Sequence, residues 1–310
     1  MKTVFYGTPE IAVPFLEQLA KRTTLLAAVS QPDKPAGRSL QVADTPVKKA
    51  AKALGAKVFQ PNKPSEIAGE LKALGPDLAV AVAYGRILRP DVLAVPKLGT
   101  LNVHFSLLPK FRGAAPVQWA LANGETKTGV TVFWLDEGMD TGPICVMKET
   151  EVSPDDDAKS LFDKLIPLSL AALDESLGLI ERGEIIRIPQ SGEWSKAPLI
   201  TREDAVFELG FSAEEIHNKV RAFCLWPKAS LALKGQRLIV LKTRLAPAPS
   251  SEKGRPGRIV SVAADGAVLI ECGFGSRLWF LSVQPEGKKP VSAADFVNGL
   301  RLKAGDVLPI

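Results

Sequence analysis

Apolar and polar positions in the first half of the chain fall into two alternating kinds of run. Short apolar stretches at residues 2–6, 25–30, 57–59, 77–82 and 98–105, bounded by Gly, Pro and polar residues, predict strands. Between them, residues 10–21, 46–54, 65–74 and 115–122 have the mixed pattern of helices. The run at 77–82 is apolar throughout, as expected of a strand covered on both faces. Strand and helix repeating in this way predict an α/β fold with a parallel, doubly wound sheet. Binding groups in such sheets gather beyond the carboxyl ends of the strands, where Gly7, Gln31, Tyr84 and His104 fall.

The pattern then changes. Residues 128–135 alternate as a strand, residues 136–142 form a Gly-rich acidic loop, and a further strand is expected near 144–148. A long helix is predicted over 155–182, with Leu161, Leu165, Leu168, Ala172 and Leu173 on its apolar side. Residues 184–204 have no clear period and read as a linker. A helix at 213–224 follows, then short strands at 229–233, 236–245, 257–263, 267–272 and 276–283, punctuated by Gly and Pro. That spacing predicts a small β-barrel. The expected domains are therefore 1–183, a linker 184–204, and 205–310.

Composition narrows the function classes. The chain has 310 residues, 46% apolar and 24% charged, which suits two globular domains. The longest apolar run, residues 78–84, is far short of the ~20 needed to cross a bilayer. The first residues enter a strand directly, so no secretory signal is expected. Cys145, Cys224 and Cys272 are widely spaced and form no Cys-x-x-Cys pair, which predicts a reducing, cytoplasmic setting. With two histidines, His104 and His217, no metal site is expected. Charge is unevenly placed. Residues 1–204 carry 24 Lys and Arg against 25 Asp and Glu, while residues 205–310 carry 15 against 9. A basic module beside a neutral one suits a phosphate-rich macromolecular partner, and equally a solvated basic surface.

The first turn, Gly7-Thr8-Pro9-Glu10, lacks the Gly-x-Gly-x-x-Gly of a dinucleotide site, and no P-loop occurs, so no nucleotide cofactor is expected. Asn102 and His104 stand two apart on a predicted strand and so project from one face. An amide donor beside a titratable ring at a strand end suits stabilisation of a developing oxyanion. Asp136 and Asp140 in the acidic loop are rival proton acceptors, and spacing alone does not choose between them. No nucleophile elbow is present, which favours direct transfer between two bound substrates over a covalent intermediate.

Together Asn102-Val-His104, Ser106-Leu-Leu-Pro109, Arg112-Gly113 and Asp136 with Asp140-Thr-Gly142 resemble the folate-dependent formyltransferases. The resemblance extends along essentially the whole chain to the branch of that family that acts on charged initiator tRNA. It is carried also by Phe5-Tyr-Gly-Thr-Pro-Glu10, Gln31-Pro-Asp-Lys-Pro-Ala-Gly-Arg38, Phe59-Gln-Pro61, Tyr84-Gly85, Arg112-Gly-Ala-Ala-Pro116 and Val220-Arg-Ala-Phe-Cys-Leu-Trp-Pro227. It implies a Rossmann-like catalytic domain followed by a basic, OB-like barrel that binds tRNA. It also implies 10-formyltetrahydrofolate as formyl donor, the α-amine of initiator methionyl-tRNA as acceptor, and a monomer.

Carried over residue by residue, the resemblance implies catalytic roles for Asn102, His104 and Asp140. It implies folate binding by Tyr84, Arg86, Ile87, Leu88, Ser106, Leu107, Leu108, Pro109, Asp136 and Gly138, and tRNA contacts by Lys34, Arg38 and Arg112. The chain departs from the branch at three places. Arg86 replaces an apolar residue and is either near the folate tail or solvated. Ser39-Leu40 follows Arg38 where relatives carry lysines, and Cys224-Leu225 precedes Trp226, which is expected in the core. A sugar-nucleotide amine or water as acceptor, or RNA binding without catalysis, remain as other readings.

Overall fold

The computed structural model describes residues 1–36, 41–247 and 254–309. It divides into two compact units, the first formed by residues 1–116, 127–151 and 163–198, the second by 117–126, 152–162 and 199–310.

Strands of the first unit are β1 (Lys2–Gly7), β2 (Thr24–Val29), β3 (Lys34–Ala36), β4 (Gln41–Ala43), β5 (Lys57–Phe59), β6 (Leu78–Val82), β7 (Thr100–His104), β8 (Arg112–Gly113), β9 (Lys127–Trp134), β10 (Ile144–Glu151) and β11 (Lys196–Ala197). The helices along the same stretch are α1 (Val13–Arg22), α2 (Pro46–Ala53), α3 (Ala68–Leu74), the single turn α4 (Pro90–Leu93), α5 (Pro116–Ala122) and α6 (Ala158–Glu181). Helix ends follow local chemistry. Thr45 caps α2 by accepting the Lys48 N–H at 3.3 Å, with Pro46 in the first turn, and α3 stops on Gly75 in the left-handed region.

The main sheet has the order β10-β9-β7-β6-β1-β2-β5. The five strands from β7 to β5 are parallel, as the pattern predicts. All five residues of β6 are buried between β1 and β7, which accounts for its unbroken apolar run. β9 then reverses, antiparallel to β7 with His104 opposite Thr131, and β10 returns beside it. In α6, Leu161, Leu165, Ala172 and Leu173 are fully buried as expected, while Leu168 is half-buried. The Pro- and Gly-rich stretch after β2 contains an unforeseen hairpin, β3 with β4.

Residues 184–198 differ from the expected linker, because they belong to the first unit. Extended backbone needs partners for its N–H and C=O groups, and here it finds them. Ile188 and Ile144 exchange both backbone hydrogen bonds, at 2.7 and 2.9 Å. β11 pairs in parallel with β8, and Trp134 Nε1–H donates to the Ile186 carbonyl at 2.8 Å.

The second unit holds α7 (Ala213–Ala222), β12 (Ser230–Leu233), β13 (Gln236–Leu245), β14 (Ile259–Val262), β15 (Val268–Glu271), β16 (Arg277–Pro285), β17 (Val291–Ser292) and α8 (Ala293–Gly299). A capping box between Ser212 and Glu215 starts α7. The antiparallel sheet runs β12-β13-β16-β15-β14, with β17 beside β16, over a core that includes Ile216, Ile259, Val268, Leu278 and Phe280. The expected barrel closure is not among the described pairings. Each end strand is instead met by irregular chain: Val206 bridges Ser230 on β12, and Val307 bridges Arg258 ahead of β14. Trp226 is 53% exposed, contrary to expectation. Phe223, fully buried with Trp119 edge-on at 6.1 Å, fills the core position instead. Among the described residues, no helix is long and apolar enough to cross a membrane, and no group of side chains is arranged to hold a metal ion.

Candidate active site

Asn102 and His104 occupy the carboxyl half of β7, in the middle of the seven-stranded sheet. His104 is buried, Val103 packs on the opposite face, and Asn102 is half-buried. The His104 ring is fixed by its Nε2–H, which donates to the Phe111 carbonyl at 2.9 Å. That leaves Nδ1 facing Asp140, with Oδ2 at 3.7 Å. Asp140 Oδ2 also accepts the Gly113 N–H at 2.8 Å. The two side chains are only 7% and 15% exposed, so their interaction is poorly screened by water. Among the described residues nothing hydrogen-bonds to the Asn102 amide, which leaves its N–H groups for a ligand.

The two loop aspartates separate by geometry. Asp136 is exposed, and its Oδ1 accepts the Gly138 N–H at 3.0 Å and the Thr141 hydroxyl at 2.7 Å, closing the turn of the loop. Asp140, at φ 53°, sits in the left-handed region with its carboxylate aimed at the imidazole. A non-glycine residue in that region is a mark of local strain at a site. Gly142 then lets the chain pass the Trp134 carbonyl, which a Cβ would overlap, and Gly113 has the same relation to Ala197 at φ 130°.

Of the segments assigned to folate by resemblance, residues 106–109 form a turn fastened to β9. Buried Thr131 donates its hydroxyl to the Ser106 carbonyl at 2.7 Å and accepts the Leu108 N–H at 3.1 Å. Ser106 Oγ donates to the Lys110 carbonyl at 2.6 Å, Leu108 is buried, and Leu107 and Pro109 are half-buried. Gly138 is exposed at the loop tip.

Residues 84–88 split in two. Tyr84 and Leu88 are core residues. Tyr84 packs edge-on to Tyr6 at 5.4 Å, and burial pushes its phenol up to about 12. Its carbonyl is already taken by the Thr8 hydroxyl at 3.1 Å and Gln31 Nε2 at 2.8 Å, so it offers less to a ligand edge than the sequence suggested. Ile87 is 79% exposed. The Arg86 guanidinium donates to the Asn62 carbonyl, and its Nε is buried without a partner.

Lys34 is exposed on β3, and Arg38 lies outside the described residues. The Arg112 guanidinium is engaged by Gln190 Oε1, at 3.2 Å from Nε and 2.6 Å from Nη2. At the base of the β3–β4 hairpin, burial raises the Asp33 carboxyl but is outweighed by hydrogen bonds from Lys48, Gln60 and the Thr45 N–H, which hold it below the usual carboxylate range.

Sequence reasoning missed Thr131, Gln190 and Ser195. Ser195 Oγ accepts the Phe111 N–H at 2.9 Å, and its carbonyl accepts the Arg112 N–H at 2.9 Å. No periodicity marks residues 190 and 195. Thr131 does leave a signal, as the polar residue inside the apolar run 130–134 of β9.

A doubly wound sheet whose central strand sets an amide and an imidazole against a carboxylate on a facing loop describes an α/β enzyme of the acyl-transfer kind. The formyl transferase family matches residues 1–176, and the formyl transferase C-terminal domain matches residues 199–301. A protein of Elusimicrobium minutum named methionyl-tRNA formyltransferase is 43% identical over 99% of both chains. One of that name from Geobacter metallireducens is 40% identical over 98% of this chain and 97% of its own. The crystal structure of HypX from Aquifex aeolicus in complex with tetrahydrofolic acid shares the fold, with a TM-score of 0.65 and 19% identity. That match covers 99% of this chain and 48% of HypX, so the chain spans about half that protein's length. The chain belongs to the formyl transferase family.

Proposed function

We propose that the protein transfers a formyl group from 10-formyltetrahydrofolate to the α-amine of initiator methionyl-tRNA, with Asn102, His104 and Asp140 at the reacting centre. The observation that carries this reading is the unheld Asn102 amide beside an imidazole whose free nitrogen faces a buried carboxylate. Near-full-length relatives named methionyl-tRNA formyltransferase support the acceptor, and the family resemblance supports the folate donor.

An aminoacyl α-amine has an ordinary pKa of roughly 7.7–8.0, so a useful fraction is neutral near pH 7 and can attack the formyl carbon. A carbon–nitrogen bond forms and the carbonyl oxygen becomes an oxyanion. The Asn102 amide N–H donates to it, as does His104 when Nδ1 carries a proton. The attacking nitrogen must shed a proton, and Asp140 receives it directly or through His104 Nδ1. Cleavage of the bond from the formyl carbon to the folate nitrogen, with protonation of that nitrogen, completes the exchange.

The folate ring is assigned to the surface formed by residues 84–88, 106–109 and 136–138, where exposed Ile87 and the fixed 106–109 turn offer apolar area and backbone edges. Arg38, Lys34 and Arg112 are assigned to tRNA, together with the second unit. Residues 205–310 carry six more basic than acidic side chains, and we read their sheet as an OB-like barrel. The catalytic domain is taken as residues 1–183, extended by the 184–198 segment that pairs with it. Three free cysteines support a cytoplasmic setting, and the family resemblance supports a monomer.

The test is single-turnover formyl transfer to charged initiator methionyl-tRNA, with free methionine as control acceptor. Transfer to the charged tRNA alone is expected, and Asp140→Asn abolishes it while folate still binds. Transfer only to small amines or water overturns the tRNA assignment. Near-parent rates with Asp140→Asn overturn the site.

A further inference from the structure

The carboxylate that faces His104 stands on a loop, and loops do not hold a left-handed aspartate to a fraction of an ångström unaided. The restraint comes from a residue 50 positions away in sequence, in the segment that looked like a linker. Gln190 Nε2 donates to the Asp140 carbonyl and to the Gly142 carbonyl, both at 2.8 Å. Its Oε1 accepts from the Arg112 guanidinium at 3.2 and 2.6 Å. The amide therefore has one workable orientation, since the flipped form sets oxygen against two carbonyls and NH2 against a cation. Arg112 precedes Gly113, whose N–H holds the Asp140 carboxylate at 2.8 Å. One amide thus ties the backbone of the aspartate to the strand that grips its side chain.

We propose that Gln190 is a positioning residue for formyl transfer, fixing the Asp140 carboxylate against His104 Nδ1. The inference rests on the reading of Asp140 and His104 as catalytic. Gln190 itself acts through Asp140 and reaches the chemistry only by holding it.

The experiment uses the full chain carrying Gln190→Met, which keeps length without donors, and Gln190→Glu, which keeps the Arg112 contact but sets a carboxylate against the two carbonyls. Steady-state kinetics, pH–rate profiles and thermal unfolding are measured beside Asp140→Asn. The expected result is a fall of about 10²-fold in kcat with the KM for 10-formyltetrahydrofolate nearly unchanged. The pH–rate profile changes shape with it, because the carboxylate no longer sits at a fixed distance from His104 Nδ1. Unchanged kcat and pH profile in both variants, with Asp140→Asn inactive, overturn the inference and leave the site standing. Parallel losses of kcat, KM and melting temperature also overturn it, as those of a merely structural residue. If Asp140→Asn is itself active, the catalytic reading and this inference fall together.

Discussion

Thr131→Val removes one hydroxyl and leaves the side chain nearly the same shape, in a residue with no exposed surface. That hydroxyl donates to the Ser106 carbonyl and accepts the Leu108 N–H, both in buried surroundings. Neither backbone group has water to turn to, since Ser106 is fully buried and Leu108 is 3% exposed. Leaving a buried polar group unpaired costs about 1–3 kcal/mol, so two such groups, partly relieved by relaxation of the turn, cost about 3 kcal/mol. At ~1.4 kcal/mol per decade that is about a hundredfold in the opening equilibrium of the 106–109 turn. Amide hydrogen exchange at Leu108 reads it directly, and urea unfolding gives the global loss. Thr131→Ser keeps both hydrogen bonds, loses only a methyl group, and retains the Leu108 protection. A Thr131→Val loss below about 1 kcal/mol with Leu108 protection intact would refute the assignment of these two bonds as the anchor of the turn.

Asp136→Ala removes the acceptor that closes the acidic loop, and is expected to lower stability by about 1 kcal/mol and raise the KM for formyl donor without abolishing kcat. Loss of turnover equal to that of Asp140→Asn would contradict the division of labour between the two aspartates. Gly142→Ala drives a Cβ into the Trp134 carbonyl and displaces a residue that Gln190 grips, so a loss of about 3 kcal/mol in unfolding free energy is expected together with slower turnover; full stability would show that the loop can shift freely. Burial pushes His217 below its ordinary value, outweighing the Pro154 carbonyl, Asp155 and Glu214, which favour the charged ring, and adding to Arg221, which opposes it. Nδ1 accepts from Thr243 and Nε2–H donates to Pro154, so the folded ring is neutral while the unfolded one protonates near pH 6.5. The unfolded chain therefore binds more protons just below that pH, and stability present above 6.5 is lost as the pH falls. Unfolding measured from pH 7.5 to 5 should show that slope in the parent and a flatter one in His217→Gln, and equal slopes would refute it.

The parallel half of the sheet was legible because β6 is apolar throughout and short apolar runs alternate with helical stretches on either side of it. The pair Asn102 and His104 was legible from spacing alone, since strand period fixes which side chains share a face. The choice between Asp136 and Asp140 was not. It depends on which oxygens are used to close the loop and on a left-handed residue that no pattern announces. Residues 184–198 misled because their pairing partners, β8 and Ile144, are short and distant in sequence. Periodicity reports burial of side chains, and this segment is held mainly through its backbone. In the second unit five strands were legible from their Gly and Pro punctuation, while β17 and the irregular chain that meets the two end strands leave no alternating pattern.

Topology explains why so much of the chemistry collects at one end of the first unit. A parallel sheet delivers every strand's carboxyl end to the same side, so Thr8, Gln31, Gln60, Tyr84 and His104 follow or end β1, β2, β5, β6 and β7 there. Thr8 and Gln31 bind the Tyr84 carbonyl, Gln60 reaches the Gln31 carbonyl at 2.9 Å and Asp33 at 2.7 Å, and Asp33 pairs with Lys48. This polar chain joins the base of the β3–β4 hairpin to the segment assigned to folate. A parallel strand alone cannot bring a second group back to His104, because its chain leaves by a crossover on the sheet's face. Asp140 comes instead from the β9–β10 loop, which starts beside Thr100 at the amino end of β7 and carries its carboxylate to face His104. The antiparallel pair β9 and β10, added beside the parallel strands, is thus what supplies a carboxylate to the strand that carries the amide and the ring.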